Sequence, residues 1–123
     1  MEGVAAWEEL MADPNYSFMV ISYSREKSHK DAFKNKVTPL LAAAEKDGFK
    51  GFCVTALGDP DDIEAFRHEI QAAYPFYMAD DILLKTIIRS NPGVLLMKNG
   101  TIVKKFHHRE LPNYATLKSK YMK

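Results

Sequence analysis

Ser90-Asn91-Pro92-Gly93-Val94-Leu95-Leu96-Met97-Lys98-Asn99-Gly100-Thr101-Ile102-Val103 is the stretch that decides the fold. Two apolar runs, 94–97 and 101–103, flank an Asn-Gly pair. Asn and Gly accept the positive φ angles of a tight turn, so the runs read as the arms of an antiparallel β-hairpin. A sheet with every strand parallel is thereby excluded, because a parallel return needs a crossover of about a dozen residues or more.

Upstream, turn signals divide the chain into alternating pieces. Residues 17–23, with Phe18-Met19-Val20-Ile21 at their centre, lack polar alternation, as does the run 49–56 around Phe52-Cys53-Val54. Both suit strands covered on two faces, and the long stretch between them makes a βαβ unit the default. In that stretch Phe33, Val37, Leu40, Leu41 and Ala44 recur at helical spacing from about residue 28 to 47. Gly48 suits its C-terminal stop, and Pro39 predicts a kink or break near Val37. Asp59-Pro60-Asp61-Asp62 starts another helix, with Ile63, Phe66 and Ile70 on its buried side. Residues 74–78 contain Pro75 and read as an edge strand. Asp80-Asp81 opens a short helix with Leu83, Leu84, Ile87 and Ile88 as its apolar residues. A last helix is expected over 112–121, burying Tyr114, Leu117 and Tyr121. Residues 4–12, with Val4, Trp7 and Met11 on one face, read as a first short helix ended by Asp13-Pro14.

This order implies one α/β domain over residues 1–123, a mixed central sheet with helices on both faces. The expected strand order runs from the edge strand 74–78 through 49–56 and 17–23 to 94–97 and 101–106. It is the thioredoxin layout, and a flavodoxin-like sheet is rejected by the hairpin.

Composition narrows the function classes. The chain has 123 residues, 46% hydrophobic and 27% charged, which is globular composition able to bury a core without disulfides. Seventeen basic and sixteen acidic residues leave a net charge of +1, so no general grip on nucleic acid or anionic lipid is expected. No apolar run approaches the roughly 20 residues that cross a bilayer, and no signal peptide is visible.

The segment from Asp81 through Ser90-Asn91-Pro92-Gly93 to Gly100 resembles the second half of TlpA- and peroxiredoxin-type thioredoxin domains. More narrowly, Tyr74-Pro75-Phe76-Tyr77 with Leu84 to Gly93 resembles the soluble C-terminal domain of bacterial DoxX-family membrane proteins. The segment from Trp7 to Tyr23 fits the same picture. The resemblance implies a thioredoxin-like domain excised from a longer membrane protein, on an undetermined side of the membrane. The parent's membrane portion is then an implied partner. It also implies a cis peptide at Asn91-Pro92.

Redox members of this fold carry Cys-X-X-Cys where the first central strand meets its helix, and the helix N-terminus favours the thiolate. Here that stretch is Tyr23-Ser24-Arg25-Glu26-Lys27-Ser28-His29-Lys30, and the chain has a single cysteine, Cys53. Serine is not redox-active, so dithiol exchange is excluded by composition. Cys53 reads as a buried apolar filler in a strand, with a lone reactive thiol as the alternative. Around the implied cis-proline, a peptide-binding groove formed by Tyr23, Ser24, Asn91 and Pro92 stands beside the plainer reading of a turn that fixes hairpin entry.

His29, His68, His107 and His108 offer no metal-ligand spacing, since adjacent histidines on a strand point to opposite faces. No metal, cofactor or catalytic carboxylate is expected. Lys104, Lys105, Arg109, Lys118, Lys120 and Lys123 read as a solvated face ahead of a local phosphate or lipid-headgroup contact. Tyr74, Phe76 and Tyr77 read as sheet-edge packing ahead of an exposed patch, and a homodimer through that edge is a further alternative. The expectation is a non-redox accessory domain binding a protein or peptide partner. The alternative is a thiol-dependent oxidoreductase working through Cys53.

Overall fold

A computed structural model describes residues 13–122. The helix expected over 4–12 lies outside the described residues. Strand β1 (Tyr16–Ser22) is followed by a helix over residues 30–46, α1, then β2 (Lys50–Ala56), α2 (Pro60–Glu69), β3 (Phe76–Ala79) and α3 (Asp81–Ile87). Strands β4 (Gly93–Lys98) and β5 (Thr101–His107) and helix α4 (Tyr114–Tyr121) complete the described chain. The sheet order is β3-β2-β1-β4-β5, as the sequence order implied. β1 and β3 lie parallel to β2, whereas β4 runs antiparallel to β1 and β5 to β4.

The unbroken apolar runs follow from coverage on both faces. Phe18, Val20, Cys53, Val94, Leu96 and Phe106 face one layer, where they meet Phe33, Val37, Leu40, Leu41 and Ala44 of α1, Phe66 of α2 and Leu117 of α4. The alternating residues Met19, Ile21, Phe52, Val54, Leu95 and Met97 face the other, with Leu84 of α3 and the half-buried Ile87 and Ile88. Each large side chain removed from water contributes about 1.5–3 kcal/mol before conformational entropy is counted.

Several expectations need correction in detail. Of the kink or break expected near Val37, there is no break: the helix runs on through a π-helical turn over Phe33–Val37, just ahead of Pro39. Pro39 has no N–H to donate and its ring crowds the preceding turn. The Thr38 N–H instead reaches Phe33 O, five residues back, and this wider turn makes room. The edge strand spans Phe76–Ala79; Pro75 has no N–H to give the ladder, although its carbonyl accepts from Cys53 N at 2.9 Å. Leu83 is 46% exposed and Leu84 alone on α3 is buried, since a seven-residue helix turns only one row toward the sheet. The last helix starts at Tyr114, with Asn113 Oδ1 capping Thr116 N, and Tyr114 and Tyr121 are only half-buried. Asn99 (φ 51°) and Gly100 (φ 77°) form the hairpin turn. A bulge between the Leu96 and Met97 pairings interrupts the β4–β5 ladder, and exposed Lys104 and Lys105 mark the open edge.

Candidate functional site

The candidate residues converge where β1 runs into α1. β1 ends at Ser22, and the chain loops from Tyr23 to His29 before α1 begins. His29 is the N-cap, and its Nδ1 accepts from Ala32 N at 3.2 Å. The Asn91–Pro92 peptide bond, which enters β4, is cis. Asn91 lies against the loop and laces it to the hairpin. His29 N donates to Asn91 O at 3.0 Å, and Asn91 Nδ2 donates to Ser24 O at 2.8 Å.

Ser28 Oγ is 2.7 Å from Asn91 Oδ1 and 2.7 Å from Ser22 Oγ. A hydroxyl has one proton, and Asn91 Oδ1 can only accept, so Ser28 donates to Asn91 and Ser22 donates to Ser28. Tyr23 closes the other side, its hydroxyl donating to Arg89 O at 3.2 Å. Tyr23, Ser24 and Asn91 are thus brought together, half-buried, whereas Pro92 is buried. Ser90 Oγ donates to Pro92 O and accepts from His108 N.

In front of this loop lies an open cleft of about 820 Å³ at the carboxyl ends of β1 and β2. Tyr23, Ser24, Arg25, Lys30, Leu57 and Asp80 are among its lining residues, and Asn91 and Pro92 are not. Sequence reasoning missed Arg25. Its guanidinium donates to Thr55 Oγ1 at 3.1 Å and Ala56 O at 2.6 Å, which pins the loop to the end of β2. The available signal was a lone arginine directly after the first strand. Lys30 is held by Glu69 at 3.0 Å and Lys85 by Asp81 at 3.7 Å, so the cleft walls carry paired charges.

Cys53 stands apart from the cleft, midway along β2 and wholly buried. Burial pushes its thiol far above the ordinary value, and the opposing influence of the Arg25 charge is smaller. A thiol held in this state supplies almost no thiolate.

The histidines depart from strand alternation. β5 ends at His107, so His108 sits in the following turn, and their rings lie 4.5 Å apart on one side. His108 also lies 4.9 Å from the His29 ring. Among the described residues, no group of three or more His, Cys, Asp or Glu is arranged to hold a metal ion. Tyr74, Phe76 and Tyr77 pack inward. Tyr74 stacks on Phe76 at 5.8 Å, and Tyr77 meets Phe52 edge-on at 5.9 Å.

Comparison with solved structures decides the fold family. The chain superposes on the thioredoxin domain of a thiol-disulfide oxidoreductase from Bacteroides vulgatus with a TM-score of 0.67 and 16% identity. The match covers 90% of this chain and 81% of that one. The fold is thioredoxin-like. StoA from Bacillus subtilis matches with a TM-score of 0.62 and 16% identity, over 87% of this chain and 82% of that one. A thiol:disulfide interchange protein from a Bacteroides species matches with a TM-score of 0.60 and 15% identity, over 94% and 78% respectively. No protein-family profile and no curated protein matches the sequence. At such identities the likeness is one of fold, and the activity of these thioredoxin-like neighbours does not pass to this chain with it.

Proposed function

We propose that this chain is a non-redox, thioredoxin-like binding domain whose cleft beside Tyr23, Ser24 and Arg25 receives a protein or peptide segment. One observation carries the reading. The loop between β1 and α1 holds no cysteine, and its hydroxyls, together with the Asn91 amide, form hydrogen bonds across to the turn before β4. The only thiol lies in the core, away from this loop. A site made of hydrogen-bonded polar groups can position an extended segment but can neither pass electrons to a disulfide nor accept them from a dithiol. The buried state of Cys53 argues against the alternative of a single-thiol oxidoreductase.

The finer reading is that the domain serves as an accessory to a DoxX-type membrane portion. It rests on the segment from Tyr74 to Gly93. No helix among the described residues is long and apolar enough to cross a membrane, so the membrane portion would be a separate part of the parent protein.

Two measurements on the native chain test the proposal. Disulfide reduction of insulin should proceed no faster than with the chemical reductant alone, and Cys53 should react with a thiol reagent only after denaturation. Catalysed reduction, or rapid labelling of the folded chain, would overturn it. An in-frame upstream segment with four spanning helices supports the DoxX attachment, and its absence removes that part.

A further inference from the structure

A second constellation lies outside the lining of the cleft, and the binding reading above does not use it. It comprises His29 at the start of α1, Lys36 one face along, and His107, His108 and Arg109 at the end of β5. His29 and His107 flank the His108 ring at 4.9 and 4.5 Å. Lys36 Nζ donates to His108 O at 3.2 Å, which leaves two of its three protons uncommitted.

The tautomers of the two outer rings follow from their hydrogen bonds. His29 Nδ1 accepts from Ala32 N, and His107 Nδ1 accepts from Arg109 N at 3.1 Å. A ring nitrogen that accepts carries no proton, so each neutral ring bears its proton on Nε2. Both rings are exposed, and both therefore offer N–H donors to solvent. Among the described residues, no carboxylate lies within 4.0 Å of the charged or ring nitrogens of these five residues. Such pairs do occur at Lys30, Lys50, Arg67, His68, Lys85 and Lys118. The nearby acids Asp31 and Glu110 make no ion pair with the cluster.

We propose that His29, Lys36, His107, His108 and Arg109 form a binding site for a phosphate group. These groups come from α1, the end of β5 and the turn that follows it and gather around His108, and among the described residues no carboxylate pairs with them. A tetrahedral dianion supplies acceptor oxygens in several directions at once and offsets the uncompensated positive charge. The electrostatics of the free site agree. Burial first, and then the charges of His107, His29, Arg109 and Lys36, hold the His108 imidazole below its ordinary value, and the neighbouring charges act in the direction a positive site requires.

The test is a titration of the intact chain with inorganic phosphate at neutral pH, followed through the histidine side-chain resonances. Chloride at matched ionic strength serves as control. Saturable shifts of His29, His107 and His108, without a shift of His68 on α2, are expected. Lys36→Met and Arg109→Gln, both at exposed side chains, should each weaken binding about tenfold. Shifts that do not saturate, that chloride reproduces, that His68 shares, or that survive both substitutions overturn the site. Vesicles containing phosphatidylglycerol separate the sources. Co-sedimentation that phosphate competes away points to a lipid headgroup, and saturable phosphate binding without co-sedimentation points to a soluble phosphate ester. Co-sedimentation that phosphate leaves unchanged signifies diffuse attraction and overturns the proposal.

Discussion

The side-chain amide of Asn91 donates to the backbone carbonyl of Ser24 at 2.8 Å and joins two loops separated by 67 residues in sequence. Through its oxygen the same amide accepts from Ser28, and through its backbone carbonyl it accepts from His29. One residue thus fixes the entry to β4, the loop after β1 and the N-cap of α1. The cleft-forming loop takes its shape from this anchor more than from apolar burial, since Glu26, Lys27 and His29 are exposed.

Asn91→Ala is therefore expected to remove both side-chain bonds and leave the buried Ser28 hydroxyl short of its acceptor. The cost is about 1–3 kcal/mol. Urea denaturation should show the loss, and amide exchange should accelerate in residues 23–29 ahead of the sheet. Unchanged exchange in that loop would mean that its order has another source.

Gly93 is required by close approach rather than by backbone angle. A Cβ there would lie 2.6 Å from Ile88 Cδ1 and 2.8 Å from its Cγ2. Gly93→Ala should destabilise by about 1–3 kcal/mol through overpacking. In the Gly93→Ala/Ile88→Ala double variant the two penalties should add to less than their sum, because the second change vacates the space the first one needs. Simple additivity of the two, measured by denaturation, would contradict this account.

What could be read from the residues is what local chemistry dictates. Asn99-Gly100 carries its turn angles in its composition, and Phe18-Met19-Val20-Ile21 reports that both faces of β1 are covered. The sheet order follows from the succession of elements read as the thioredoxin layout. What could not be read depends on approach between distant segments. The wide turn before Pro39, the reach of Arg25 to Thr55 and Ala56, and the meeting of His29 with His108 are set by tertiary packing. The sequence marks Tyr23, Ser24, Asn91 and Pro92 only through their place in the expected fold. The hydrogen bonds that join Asn91 to the loop became visible only in three dimensions.

Cys53 offers a test of core chemistry that is separate from its reactivity. Its side chain is wholly buried in the layer that also holds Phe18, Val20 and Phe33. Cys53→Ser introduces a hydroxyl among apolar neighbours and should cost about 1–3 kcal/mol more than Cys53→Ala, which removes only a small volume. Equal stability of the two variants in urea would indicate a polar environment at the site.

The stability of the chain should fall on mild acidification, and His108 sets the direction. Its folded value lies below the ordinary 6.5, chiefly through burial and then through His107, His29, Arg109 and Lys36. Below the ordinary value the unfolded chain takes up a proton that the folded chain still refuses. Stability therefore decreases as pH falls through 6.5, until the folded group also titrates. Asp47 acts in a lower window. Hydrogen bonds from Lys118 and Tyr114 hold its carboxyl below 3.8, so its contribution is present above that value and is lost as pH drops through the folded one. Denaturation midpoints measured in a buffer free of phosphate should show the first decline just below pH 6.5. His108→Gln should flatten that decline while leaving the more acidic one in place. A first decline that survives His108→Gln unchanged would assign it to another group.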